Sequence, residues 1–255
     1  MTEERKRKEV GHNFLAKLGK KRLRPGGITA TNWLIEHSGI SKESKVLEVA
    51  CNMCTTSIEL AQTFGCQIEG VDMDKKALEK ASKNIKEAGL EDKIHIQQAN
   101  AMKLPFEDNS FDLVINEAML TMLRGEAKKK AIAEYLRVLK PGGKLLTHDV
   151  SYIKPEMEDL LGQLSQTINA NVEPLSVDKW QSIFKEVGFT DVQASYGKMT
   201  LMSTWGMIKD EGLLGTCLIV YRGLKKENRQ QFLTMYRFFN KTAKDLRYIA
   251  VVSQK

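Results

Sequence analysis

The sequence predicts an α/β fold built on one doubly wound sheet. Two observations carry this. Short apolar strands alternate with helical patterns of about 10–15 residues, and that rhythm means βαβ units around a parallel sheet. The run Val46-Leu47-Glu48-Val49 turns through small side chains, Ala50-Cys51-Asn52-Met53-Cys54, and opens an amphipathic helix at Thr55. Such a strand–loop–helix opening is where doubly wound sheets bind nucleotide-like ligands.

In chain order, residues 1–27 read as a basic amphipathic helix ending at the turn Arg24-Pro25-Gly26-Gly27, and a second helix covers 29–38, with Trp33, Leu34 and Ile35 as apolar positions. Strand Lys45–Val49 precedes helix Thr55–Phe64. Strand Gln67–Val71 precedes helix Lys75–Ala88, which stops at Gly89. Strand Ile94–Gln98 leads into a loop through Pro105, strand Phe111–Asn116 into helix Glu126–Leu139, and Pro141-Gly142-Gly143 into strand Lys144–Asp149. Helices near Glu156–Asn169 and near Val177–Val187 lead to a strand around Asp191–Tyr196, and Tyr248–Val252 is the last strand. The sheet therefore has seven strands and is Rossmann-like. Helical insertions lie at the N-terminus and between the sixth and seventh strands. The expected organisation is a helical cap over 1–40, a core over 41–199, an insertion over 200–246 and the final core strand in 247–255. The insertion carries a helical pattern over Arg229–Lys244, with Phe232, Met235, Tyr236 and Phe239 on one face. A stretch of that length should have its own structure and a job, such as a lid.

Hydrophobic residues at 42% and charged residues at 28% of 255 fit a soluble globular protein. No apolar run approaches the ~20 residues that span a bilayer. The charged start lacks the apolar region of a secretory signal, and the four cysteines are not spaced as a disulfide framework. A cytoplasmic location is expected. The net charge of +7 is uneven: residues 1–27 carry nine Lys/Arg against three Glu, and 200–247 carry nine against four acids. Basic ends of this kind attract RNA, an anionic membrane surface or an acidic substrate, or simply solubilise the protein.

The loop after the first strand resembles motif I of the class I S-adenosylmethionine (SAM) methyltransferases, Glu-x-Gly-x-Gly-x-Gly, with Ala50, Asn52 and Cys54 in the three glycine places. Further motifs follow in family order. Gly70-Val71-Asp72-Met73 ends the second strand, and Ala99-Asn100-Ala101-Met102-Lys103-Leu104-Pro105-Phe106 is similar to Gly-Asp-Ala-x-x-Leu-Pro-Phe. Ser110–Val114 and Arg137–Gly143 are also close to family signatures. The resemblance covers about residues 28–150 and is nearest to the small-molecule branch that includes the quinone-biosynthesis C-methyltransferases. It implies SAM as cofactor and a small-molecule acceptor. Glu48, Ala50 and Asn52 then belong to the cofactor loop. The Asp72 carboxylate would take the ribose diol and Met73 the adenine face. Asn100, beside Ala101, would accept a hydrogen bond from the adenine amine through its carbonyl oxygen. Asn116, at the end of the fourth strand, is a further cofactor candidate. Asn tolerates the left-handed backbone better than other non-glycine residues, which suits its place in the loop.

Methyl transfer is an in-line displacement that needs a base only when the nucleophile carries a proton of high pKa. Candidates at the C-terminal edge of the sheet are Glu117, His148 and Asp149; structural hydrogen bonding is the competing role for each. His12 and Arg24 are weaker candidates, the latter for the methionine carboxylate. Cys51-Asn52-Met53-Cys54 is also a C-x-x-C at a helix start. No second such pair or H-x3-H supplies further ligands, so no metal site is expected and the two thiols read as small loop-filling residues. Two other readings stand beside the leading one. One is an RNA- or nucleic-acid-modifying methyltransferase using the basic ends, which would want exposed aromatics for stacking. The other is a non-catalytic SAM-binding module, suggested by the altered loop.

Overall fold

A computed structural model describes residues 9–153 and 157–255. The strands are β1 (Lys45–Val49), β2 (Gln67–Asp72), β3 (Ile94–Gln98), β4 (Phe111–Glu117), β5 (Leu139–Tyr152), β6 (Leu175–Ser176), β7 (Thr190–Lys198) and β8 (Leu246–Gln254). The helices are α1 (Gly11–Leu18), α2 (Gly27–Ser38), α3 (Thr55–Phe64), α4 (Lys75–Glu87), α5 (Glu126–Val138), α6 (Glu158–Ile168), α7 (Val177–Val187), α8 (Thr204–Leu224) and α9 (Arg229–Lys241). Seven strands form the expected sheet in the order β3-β2-β1-β4-β5-β8-β7, with β8 antiparallel to both neighbours. The two-residue β6 is an eighth strand. It pairs with Ser151 and Tyr152, where β5 runs past the end of β4. Two residues are too few to carry a period-2 signal.

Alternation along the strands sends side chains to opposite faces and builds two cores. Val46, Leu113, Ile115, Ala250 and Val252 pack with α2, α3 and α4; Leu47, Val114, Leu145, Ile249 and Val251 pack with α5 and α7. Residues 27–38, grouped by sequence with an N-terminal cap, therefore lie on the sheet as part of its second layer. The first helix is also shorter than expected. Gly19, at φ 102°, ends α1 at Leu18, well before Pro25, and the first eight residues of that expected helix lie outside the described residues, as does Glu156.

A third apolar cluster joins α1, α6, α8 and α9 through Phe14, Leu15, Leu164, Met207, Ile219, Phe232, Met235 and Phe239. It sits over the C-terminal end of the sheet. α8 bends at Gly212 (φ 73°, ψ 171°), and just before the bend Asp210 and Glu211 receive the buried Lys20 ammonium at 3.1 and 3.4 Å. Asp210 also accepts the Ile28 N–H, and Glu211 the N–H groups of Lys21 and Arg22. These bonds tie residues 20–28 to the insertion.

Candidate active site

The loop after β1 keeps a glycine backbone without glycine. Ala50, Asn52 and Cys54 have φ values of 59°, 49° and 57°, in the left-handed region that costs a residue with a Cβ about 1–2 kcal/mol. Hydrogen bonds hold the path. Cys51 N–H donates to the Val71 carbonyl at 3.0 Å, and Asn52 N–H to the Asp72 carboxylate at 2.9 Å. The other Asp72 oxygen accepts Asp74 N–H at 2.9 Å. Gly70 leaves room for the loop: a Cβ there would come within 3.2 Å of the Cys51 sulfur. Both loop thiols are buried, and the neighbouring Cys54 thiol together with burial pushes the Cys51 thiol up, away from the thiolate range.

The loop forms one wall of a cavity that Glu48, Ala50, Asn52, Asp72 and Glu117 also line, with Arg24, Thr56 and His12 facing in. Glu48 accepts the N–H and hydroxyl of Ser57 at the start of α3. Burial pushes its carboxyl up to about 7, against those hydrogen bonds. Met73, Asn100 and Ala101 lie outside this cavity. Met73 is 61% exposed, and the Asn100 carbonyl oxygen accepts the N–H of Met102 at 2.9 Å, turning its own loop. Together they form the open rim beyond Asp72, where Ala99 N–H meets the Asp72 carbonyl.

Three of the expected residues are placed otherwise than the sequence suggested. Asn116 is fully buried inside the sheet, its amide donating to the Thr147 hydroxyl at 3.1 Å, so it does not reach the cavity. Glu117 is not free to take a proton. It accepts from Arg24 at 3.0 Å, Thr31 at 3.0 Å and Thr56 at 2.7 Å, and the His148 ring lies at 3.4 Å. Burial raises the Glu117 carboxyl, but Arg24, His148 and Thr56 outweigh it and hold the group at about 2. His148 is itself fully buried, and its Nε2 accepts the Gly26 N–H at 2.9 Å. That contact assigns the ring proton to Nδ1, facing Glu117. Gly26 is required for this approach, because a Cβ would stand 2.5 Å from the Tyr248 ring. The network holds Arg24 in place, and its guanidinium also donates to Thr31 and Thr56 at 2.5 and 2.7 Å.

Asp149 faces a second, apolar chamber under α1, α6 and α9, lined by Leu15, Leu164, Ile168, Met199, Met235 and Phe239 among others. Its carboxylate accepts the N–H groups of Thr121 and Val150, and burial raises its pKa against them. The two cavities share His12, Leu23, Ala118 and Met122 as a common wall. Burial lowers the His12 pKa, outweighing the carboxylates of Asp72 and Asp74. Thr31, Thr56, Leu23 and Met122 were not singled out by sequence. They come from segments far apart in the chain, and no local spacing marks them.

Comparison with known proteins gives a consistent answer. Residues 46–143 match the family model of a methyltransferase domain. A protein of Haemophilus influenzae described only as uncharacterized is 60% identical over 97% of this chain and 98% of its own. The ubiquinone/menaquinone biosynthesis C-methyltransferase of Blochmanniella floridana is 30% identical, over 66% of this chain and 73% of its own. The chain spans less than half the length of three further curated methyltransferases that it matches. Among solved structures, the MccD protein superposes with a TM-score of 0.75 at 23% identity, over 92% of this chain and 100% of that one, which speaks to the fold.

Proposed function

The chain belongs to the class I SAM-dependent methyltransferases, and on that premise we propose that it methylates a small, largely apolar acceptor held in the chamber beneath α1 and α9. The observation that carries this is the pairing of two cavities across one wall, one polar and charged, one apolar with a single carboxyl.

The residues around the polar cavity suit SAM. Arg24 offers its charge to the methionine carboxylate, Glu48 to the ammonium and Asp72 to the ribose diol. The Met73–Asn100–Ala101 rim is the remaining surface for adenine. Bound SAM supplies an electrophilic methyl group on a sulfonium centre. The protein's part is alignment and exclusion of water. Glu117 and His148 are positioning residues for Arg24. His12 and Asp149 remain as polar groups on the acceptor side. The expected lid role of 200–246 falls to α9, whose Met235 and Phe239 roof the chamber with α1, while α8 anchors residues 20–28.

The nucleic-acid reading is weakened by where three of the N-terminal cations go. Lys20 is buried on Asp210 and Glu211, Arg22 pairs with Glu59 and Arg24 with Glu117. All three are turned into the protein, Arg24 toward the polar cavity, and not out to a nucleic-acid backbone.

Incubation of a metabolite extract with methyl-labelled SAM tests the proposal. Label is expected in small molecules soluble in organic solvent. Met235→Trp, which fills the chamber, should cut that transfer at least tenfold while S-adenosylhomocysteine binding stays within twofold. Label in RNA or protein, or full transfer by the variant, would overturn the reading.

A further inference from the structure

Beyond the bend at Gly212, α8 turns an apolar stripe to solvent. Leu213, Leu214, Leu218, Tyr221 and Leu224 are 65, 81, 51, 66 and 48% exposed, with Cys217 exposed among them. At about 100° per residue these positions fall within one arc of the helix, of roughly 140°. The opposite face is the one that packs: Thr216, Ile219 and Gly223 are buried, and Gly223 lies directly against the Phe232 ring of α9. The stripe is therefore not part of the core, and it lines neither of the two central cavities. Monomeric proteins seldom expose contiguous apolar surface of this kind without a use for it.

The charges beside the stripe say what it meets. Lys225, Lys226 and Arg229 are exposed at its C-terminal end, and the Lys225 ammonium stands 5.3 Å above the Tyr221 ring; Arg222 beside them donates to the Leu18 carbonyl. Between residues 213 and 229 Glu227 is the one acid. The acids at the bend, Asp210 and Glu211, are turned inward onto Lys20. A second copy of the chain on this face would offer those cations little acid in return. An anionic lipid surface answers both features, taking Leu and Tyr side chains into the headgroup boundary and Lys and Arg against the phosphates. No helix among the described residues is long and apolar enough to cross a membrane, so the helix would lie on the surface.

We propose that the outer face of α8 docks the protein on anionic membrane surfaces through Leu213, Leu214, Leu218, Tyr221 and Leu224, with Lys225 and Lys226 contacting headgroups. The inference is independent of the acceptor assignment.

Flotation of the full-length protein with lipid vesicles tests it. Vesicles of phosphatidylcholine with a third of the lipid replaced by phosphatidylglycerol should carry the protein, and phosphatidylcholine alone should carry much less. Leu214→Glu with Tyr221→Glu should lower partition at least tenfold, with melting temperature and S-adenosylhomocysteine affinity unchanged as proof of folding. Lys225→Glu with Lys226→Glu should also release the protein and flatten its dependence on salt. Failure of the wild type to float with anionic vesicles would overturn the proposal, as would full partition by the Leu214/Tyr221 variant. So would a wild-type dimer that this variant splits into monomers while neither form binds lipid.

Discussion

Replacing Ala50 by glycine should stabilise the protein. Ala50 sits at φ 59° in the loop after β1 and is only half-buried. The left-handed conformation costs a residue with a Cβ about 1–2 kcal/mol, and glycine removes that cost. Glycine also gains freedom in the unfolded chain, which returns about 0.4–1 kcal/mol. The net expectation is a gain of about 0.5–1 kcal/mol. For a chain of this size that raises the melting temperature by about 1–4 °C. Cys54→Gly is the internal contrast. Its φ of 57° offers the same relief, but its side chain is fully buried, and losing that burial costs roughly 1 kcal/mol, so the change should be near neutral. Calorimetry or reversible denaturant unfolding reads both. A loss of stability at Ala50→Gly would refute the reasoning, because it would mean that the loop does not hold the backbone a glycine prefers.

Two further outcomes follow from the cavity. Glu48, pushed to about 7 in the free protein, is largely protonated at pH 6 and largely ionised at pH 8. A ligand ammonium beside it favours the ionised form, so affinity for S-adenosylhomocysteine should rise about tenfold over that interval; Glu48→Gln should flatten the profile, and a wild-type affinity independent of pH would contradict the assignment. Cys51→Ala with Cys54→Gly should leave that affinity within a few-fold of wild type, whereas stoichiometric zinc in the purified protein would show the thiols to be ligands.

The sheet was legible because each strand from Lys45 to Phe111 begins beside a turn and carries its own apolar run. Helix Val177–Val187 was legible to the residue, with Ser176 capping its start and Gly188 ending it at φ 118°. α8 was legible only as part of a helical insertion and without bounds, because leucines on its outer face and apolar residues on its inner face erase the one-sided pattern, and the bend at Gly212 interrupts what remains. The ordered motifs pointed to Glu48 and Asp72, and both line the polar cavity. They could not reveal that Glu117 and His148 are consumed in holding Arg24. That network joins residues 24, 26, 31, 56, 117 and 148, and only the folded sheet brings them together. The apolar chamber is invisible for the same reason, since α1, α6 and α9 each contribute only two or three residues to its wall.

The central claim is that the polar cavity holds SAM with Asp72 on the ribose. Calorimetric titration of S-adenosylhomocysteine into the wild type and Asp72→Ala tests it most directly. One site is expected in the wild type and a loss of at least tenfold in the variant, since each charge-assisted hydrogen bond contributes about 1.5–3 kcal/mol. No binding to the wild type at millimolar ligand, or the same dissociation constant in both proteins, would contradict it.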